Sequence, residues 1–323
     1  MTVVIGLSAV VVAVRDGELL ALTVQPQGAP HAGLPFGPFD PQGHRTFELA
    51  MREFVTEQTR FRLGYVEQLY TFGDQGRDAP LADMGAAPDG GRRPRVISVG
   101  YLAVTPEAED TRAPDTVWAS YARFFPWEDW RAGRPALVDE CIAPPLRAWI
   151  AEARGDVRDS RLSRARLLFA LDGAPWNEER VLERYELLYE AGLAAEAARD
   201  RGAAAPPLAG LGEPMLSDHR RILATALSRL RGKLKYRPVV FEMLPEAFTL
   251  SALQRVVEAI SGVPLHKQNF RRAVERTGLV EGLNRFDIGT GGRPAELFRF
   301  RRELLGARPV GGLSLPLLPD AVG

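Results

Sequence analysis

The sequence predicts an α+β protein of two unlike halves: a β-rich N-terminal unit with one early helix, and a small basic C-terminal module, joined by a helical connector. Three observations carry that expectation. β-Branched runs separated by turn signals open the chain, helical periodicity takes over from Pro144, and charge divides between the ends. Residues 216–308 hold 18 Lys+Arg and 9 Asp+Glu, a net +9, so in a chain with 41 of each the remainder carries net −9. The basic part therefore points at a polyanion, while the chain as a whole stays neutral.

At 323 residues, 46% hydrophobic and 25% charged, the chain is long enough for two domains with separate cores. Cys141 is the only cysteine, which excludes an intrachain disulfide and a cysteine-rich zinc site and suits a reducing cytoplasm. It is expected to pack, not to react. The apolar start, Val3 to Val14, lacks a basic leader and is shorter than a membrane span, so no membrane partner is expected.

Val3–Val14 and Leu19–Val24 read as two strands joined through Asp16-Gly17, a strong hairpin signal. A Gly/Pro-rich loop, Gln25 to Gly43, leads to an amphipathic helix over Thr46–Thr59 with Phe47, Ala50, Met51, Phe54 and Val55 inward. Tyr65–Phe72, Val96–Val104 and Ala122–Pro126 are further expected strands, and Asp74–Arg93 an expected mobile loop. Helices are expected over Pro145–Ala153, Ser160–Leu171 and Asn177–Arg199, the last capped by Asn177. Trp127 and Trp130 should pack against them. Arg201–Pro214 is the expected linker, after which Ser217 caps a long basic helix whose stripe includes Ile222, Leu223, Leu227, Leu230 and Leu234. The implied domains are residues 1–143, a connector 144–214, the basic module 215–308 and a tail 309–323.

Within the basic module, Phe248–Phe300 has the layout of a winged helix-turn-helix. Thr249 caps a helix with Leu250, Leu253, Val256, Val257 and Ile260 on one face, and Gly262 ends it. A second helix, His266 to Thr277, buries Phe270, Ala273 and Val274 and turns His266, Lys267, Gln268, Asn269, Arg271 and Arg272 outward. Arginine and lysine donate to guanine edges or phosphates, and amides pair with adenine in both directions, so this helix suits a major groove. Gly278 closes it, and a hairpin follows with Arg293 on a glycine-rich tip that reaches a minor groove or phosphate. Thr249, the outward residues and Arg293 form the expected DNA-binding set. The partner is double-stranded DNA; a protein-docking winged helix is the competing reading.

LPFGPFDPQGHRTFELAMREFVTEQT resembles a Nudix box, the magnesium-binding motif of nucleoside-diphosphate hydrolases. Arg52-Glu53-Phe54 stands in place, but the Glu-Glu pair is Thr56-Glu57, the late glycine is Thr59, and His44 occupies the upstream glutamate position. Glu48 remains as a substitute carboxylate on the helix. With YVEQLYTFGD, RVISVGYLAV, FFPWEDWRAGRP, LDGAPWNEERVLERYELLYEAGL and GGRPAELFRF, the chain resembles the NrtR regulators of NAD metabolism, and their NadQ-type relatives most.

That resemblance implies an N-terminal Nudix-like α/β/α domain, a homodimer, an inverted-repeat DNA operator, and an NAD-related effector: NAD, ADP-ribose, ATP or a nicotinate nucleotide. The damaged box implies no catalytic residues, no metal and no cofactor, with Arg52, Glu53, Glu57, Phe72, Asp74 and Arg95 as the expected ligand-binding set. That architecture implies repression of NAD biosynthesis or salvage genes; the alternative is an active hydrolase of ADP-ribose or a related nucleoside diphosphate.

Overall fold

A computed structural model of the chain describes residues 3–74, 77, 95–106, 108, 113–203, 210–287 and 294–306. The Asp16-Gly17 turn forms as expected, both residues having positive φ (54° and 78°), and it joins β1 (Val3–Arg15) to β2 (Glu18–Val24). β3 (Phe36–Pro38), inside the expected loop, pairs with the start of β1, where Leu7 faces Gly37. Gly37 lies flat against the Phe54 ring, and a Cβ there would overlap it. β4 (Tyr65–Phe72) and β5 (Arg95–Val104) complete one side, and β6 (Thr116–Ser120) the other, in the order β4-β5-β1-β2-β6. Only β1 and β5 run parallel among these pairs.

Strand alternation sorts the sheet into two cores. Leu7, Ala9, Val11, Val99 and Tyr101 pack beneath α1 (Phe47–Thr59) with Ala50, Met51 and Val55. Thr46 caps α1 by accepting from the Leu49 amide. Val10, Val12, Leu69, Phe72 and Leu102 face the other way, into a core shared with the remaining helices. The result is the α/β/α layering expected.

Three local expectations are corrected. Residues 122–126 are not a strand: Tyr121–Phe124 is one helical turn, α2, and the edge strand is β6, whose Thr-Val-Trp run supplies the β propensity. After α3 (Ala143–Ala151) and α4 (Gly155–Phe169), the expected long helix from Asn177 is two, α5 (Val181–Glu190) and α6 (Ala195–Asp200). Gly192, with φ 74°, breaks it, while the Asn177 carboxamide closes a local turn onto the Glu179 amide. Ser217 does not cap α7 (His219–Tyr236); it has φ 49°, and Asp218 holds the cap position without a side-chain bond. Most of Asp74–Arg93, part of Arg201–Pro214, and the tail from residue 307 lie outside the described residues.

α8 (Leu250–Ser261) and α9 (Lys267–Thr277) form as expected, each closed by a left-handed glycine, Gly262 and Gly278. β7 (Phe248–Thr249), β8 (Val280–Asp287) and β9 (Ala295–Phe300) make a second sheet in the order β7-β9-β8. Among the described residues no helix is long and apolar enough to cross a membrane.

The two sheets are joined through α7 and a buried charge cluster. Arg184 on α5 donates to both oxygens of Glu128 (2.5 and 2.8 Å), and Arg231 on α7 donates to one of them at 2.5 Å. All three side chains are at most 5% exposed. Burial alone would raise the Glu128 carboxyl, but the two guanidiniums outweigh it and hold the group below its ordinary range. Arg231 also donates to the Ile260 carbonyl on α8 at 2.8 Å, and the Trp130 amide donates to the Gly262 carbonyl at 2.6 Å. Trp127 is fully buried and Trp130 stacks on Trp176 at 4.2 Å, so the tryptophans pack.

Candidate ligand cavity and nucleic-acid interface

A cavity of about 500 Å³ opens between β3, the C-terminal half of α1 and the start of β6. Val24, Gln25, Phe36, Phe54, Glu57 and Asp115 line it. Its size falls in the roughly 300–1,000 Å³ range of small-molecule sites. Two aromatic rings and several polar groups suit a flat, hydroxyl-bearing ligand. Gln58 fixes the inner wall by accepting from the Phe36 amide at 3.1 Å and donating to the Phe36 carbonyl at 2.5 Å.

The structure does not bring the expected ligand set together. Glu57 lines the cavity. Arg52 is used internally: it donates to Glu48 (2.9 Å) and to the carbonyls of Leu63 (2.7 Å) and Gly64 (3.1 Å), tying the following loop to α1. Glu53 is exposed, 3.9 Å from the His44 ring. Phe72 lies on the opposite face of the sheet, buried in the core that α7 enters. Asp74 pairs with Arg221 of α7 at 2.5 Å, and Arg95 donates to the Gly73 carbonyl at 2.7 Å. The expected pocket thus splits across the sheet.

The altered box positions have local partners. Thr56 donates to the Arg52 carbonyl at 2.8 Å, and His44 accepts from the Asp40 amide at 2.9 Å. Among the described residues no three His, Cys, Asp or Glu side chains are grouped to hold a metal ion.

His219, which sequence reasoning did not single out, supports the cavity from behind. Its Nδ1 accepts from the Leu34 amide at 3.0 Å, and its ring meets Phe36 edge-on at 5.0 Å. Burial, with Arg199 adding to it, pushes the imidazole from its ordinary 6.5 down to about 3. The unfolded chain binds a proton below pH 6.5 that the folded state refuses. This stabilisation is therefore complete above pH 6.5 and lost as pH falls toward 3. Denaturant unfolding between pH 6.5 and 5 is expected to show the parent losing about 1.5 kcal/mol more than His219→Gln. Equal losses would contradict this assignment. Neighbouring Asp218, raised to about 7 mainly by burial, contributes the opposite slope to both proteins and cancels in the comparison.

The second surface is the outer face of α9. Lys267, Gln268, Asn269, Arg271 and Arg272 are exposed, as is His266 just before the helix, while Phe270 and Val274 are buried. Among the described residues, none of these outward side chains forms an ion pair or is drawn into the core. Thr249, expected on this surface, instead turns inward, its hydroxyl accepting from the Ala252 amide as the cap of α8. Arg293 lies outside the described residues. Beside α9, β8 carries a bulge: Gly282 faces Phe298 but Phe286 faces Glu296, and Asn284 within it has φ 51°. The bulge leaves Asn284, Arg285 and Phe286 all exposed, Phe286 by 59%. No sequence alternation signalled it, since the register shift follows from pairing.

Fold and surfaces together define a sheet domain with a ligand-sized cavity carrying a winged helix. Residues 240–300 match the NrtR DNA-binding winged helix domain. Over 83 residues the chain is 40% identical to the ADPR responsive transcriptional repressor NtrR of Acinetobacter baylyi, a match covering 26% of this chain and 33% of that protein. The chain thus spans about a third of the length of that curated relative. The architecture is similar to that of Shewanella oneidensis NrtR complexed with a 27mer DNA, at TM-score 0.53 and 21% identity, over 92% of this chain and 93% of that one. A MutT/nudix family protein from Enterococcus faecalis is similar at TM-score 0.52 and 17% identity, over 93% and 87%. The fold is that of a Nudix-type domain followed by an NrtR-type winged helix.

Proposed function

We propose that this protein is a DNA-binding transcriptional repressor of NAD biosynthesis or salvage genes, controlled by a nucleotide that enters the cavity beside α1. The observation that carries the reading is the exposed amide-and-cation face of α9 within a module matching the NrtR DNA-binding domain. His266, Lys267, Gln268, Asn269, Arg271 and Arg272 would meet a major groove, with Arg285 and Phe286 of the bulge beside it. Two copies would read an inverted repeat, one α9 in each half-site. ADP-ribose is the first effector to test, because the Acinetobacter relative is named as responsive to it.

Hydrolysis is disfavoured by the donor set. A magnesium-assisted attack on a diphosphate needs clustered carboxylates, whereas Thr56 offers a hydroxyl already bonded to the helix, and Glu48 is paired with Arg52. Of the glutamates Glu48, Glu53 and Glu57 in the box, only Glu57 lines the cavity. A cavity for a nucleoside diphosphate without that cluster retains its ligand intact, which is what a sensor requires. Calorimetry with ADP-ribose, followed by chromatography of the recovered ligand after incubation with magnesium, tests this. Binding with intact recovery is expected; turnover that Glu57→Gln abolishes would establish a hydrolase instead.

A further inference from the structure

We infer that His219 is the positioning residue that couples the cavity wall to the DNA-reading helix, with α7 as the rigid element between them. The inference rests on the cavity being the effector site.

The wall segment Ala32–Phe36 is fastened to the start of α7 at two points. The Leu216 amide donates to the Ala32 carbonyl at 2.9 Å, and the Leu34 amide donates to His219 at 3.0 Å. No slack separates them: a Cβ on Gly33 would lie 2.9 Å from the His219 ring and 3.0 Å from Leu216. Gly33 is bonded in both directions to Val24, itself a cavity-lining residue, and Phe36 presents its ring to both cavity and imidazole. A ligand that displaces Phe36 or Val24 therefore presses on His219.

From His219, α7 runs for 18 residues without a break, about 27 Å. It lies close against β5, a Cβ on Gly100 reaching Ile222 at 3.2 Å. Twelve residues beyond His219, Arg231 grips the last turn of α8 through the Ile260 carbonyl at 2.8 Å. That turn ends at Gly262, whose backbone passes so near the Glu128 carbonyl and the Arg231 guanidinium that any side chain would collide with both. α9 begins five residues later. Displacement at one end of α7 thus arrives where the reading helix is aimed. A packed core transmits such a shift because it does not deform continuously.

The test separates binding from coupling. A duplex selected by the full chain from a random pool is titrated by fluorescence anisotropy, with and without saturating ADP-ribose, for the parent, His219→Ala and His219→Gln. The parent's DNA affinity is expected to change at least about fivefold with ADP-ribose. His219→Ala should bind ADP-ribose within about threefold of the parent while its DNA affinity no longer responds; His219→Gln, which keeps a hydrogen-bond acceptor for Leu34, should recover part of the response. Phe36→Leu, removing the ring contact from the other side, should weaken coupling too and serves if His219→Ala does not fold. A folded His219→Ala with an undiminished response overturns the inference. Glu57→Trp, which fills the cavity without a ligand, is added to each background: it should change DNA affinity with His219 present and not with His219→Ala. That arm decides the coupling even if ADP-ribose fails to bind the parent, a result that would sink only the effector assignment.

Discussion

Replacing Glu128 with glutamine is expected to cost about 3–5 kcal/mol of folding free energy, measured by denaturant unfolding. The side chain keeps its shape, so the loss is electrostatic. Two guanidiniums, Arg184 at 0% and Arg231 at 2% exposure, would be left buried and facing a neutral amide. Both arginines also donate to backbone carbonyls, Arg184 to Asn177 and Arg231 to Ile260, and cannot turn away without abandoning those acceptors. The cluster joins α5, α7, α8 and the segment after α2, so the same variant should expose amides of α8 to hydrogen exchange before global unfolding. A loss below about 1 kcal/mol would place the cluster among ordinary surface pairs and contradict its role as the junction.

The second large effect is on DNA. Alanine at Lys267, Gln268, Arg271 and Arg272 together is expected to weaken binding to a selected duplex more than about 100-fold, since each base or phosphate contact contributes roughly 1–3 kcal/mol. Stability should hardly change. All four side chains are exposed, α9 is anchored through Phe270 and Val274, and alanine is the best helix former. Circular dichroism and melting thus control the binding measurement directly. Gln268→Ala alone should relax specificity at one base position, whereas Arg285→Ala should weaken specific and random duplexes alike and reduce the salt dependence. A folded quadruple variant that binds as tightly as the parent would remove α9 from the interface.

What the sequence made legible follows the range of the interactions. The N-terminal caps of α1 and α8, the left-handed glycines that close α8 and α9, and the apolar stripes of all three are local, and they were readable. β3 was not, because Phe36-Gly37-Pro38 has no strand pattern of its own and becomes a strand only by lying on β1 beneath Phe54. The expected ligand set is divided by parity. Phe72 and Glu57 are near in sequence, but strand pairing turns Phe72 to the α7 face while α1 occupies the other, and parity depends on register. The charged junction and His219 were invisible for a related reason. Glu128 and Arg231 are separated by 103 residues and His219 and Leu34 by 185, and no periodicity marks which of 41 acidic side chains will meet which cation.

The most direct measurement is a titration of ADP-ribose, in the presence of magnesium, into the full chain bound to a fluorescent duplex that the chain itself has selected, with the nucleotide analysed afterwards. The account predicts that DNA affinity changes at least about fivefold as ADP-ribose saturates, and that the nucleotide is recovered intact. Conversion of ADP-ribose to its hydrolysis products with DNA affinity unchanged would contradict it.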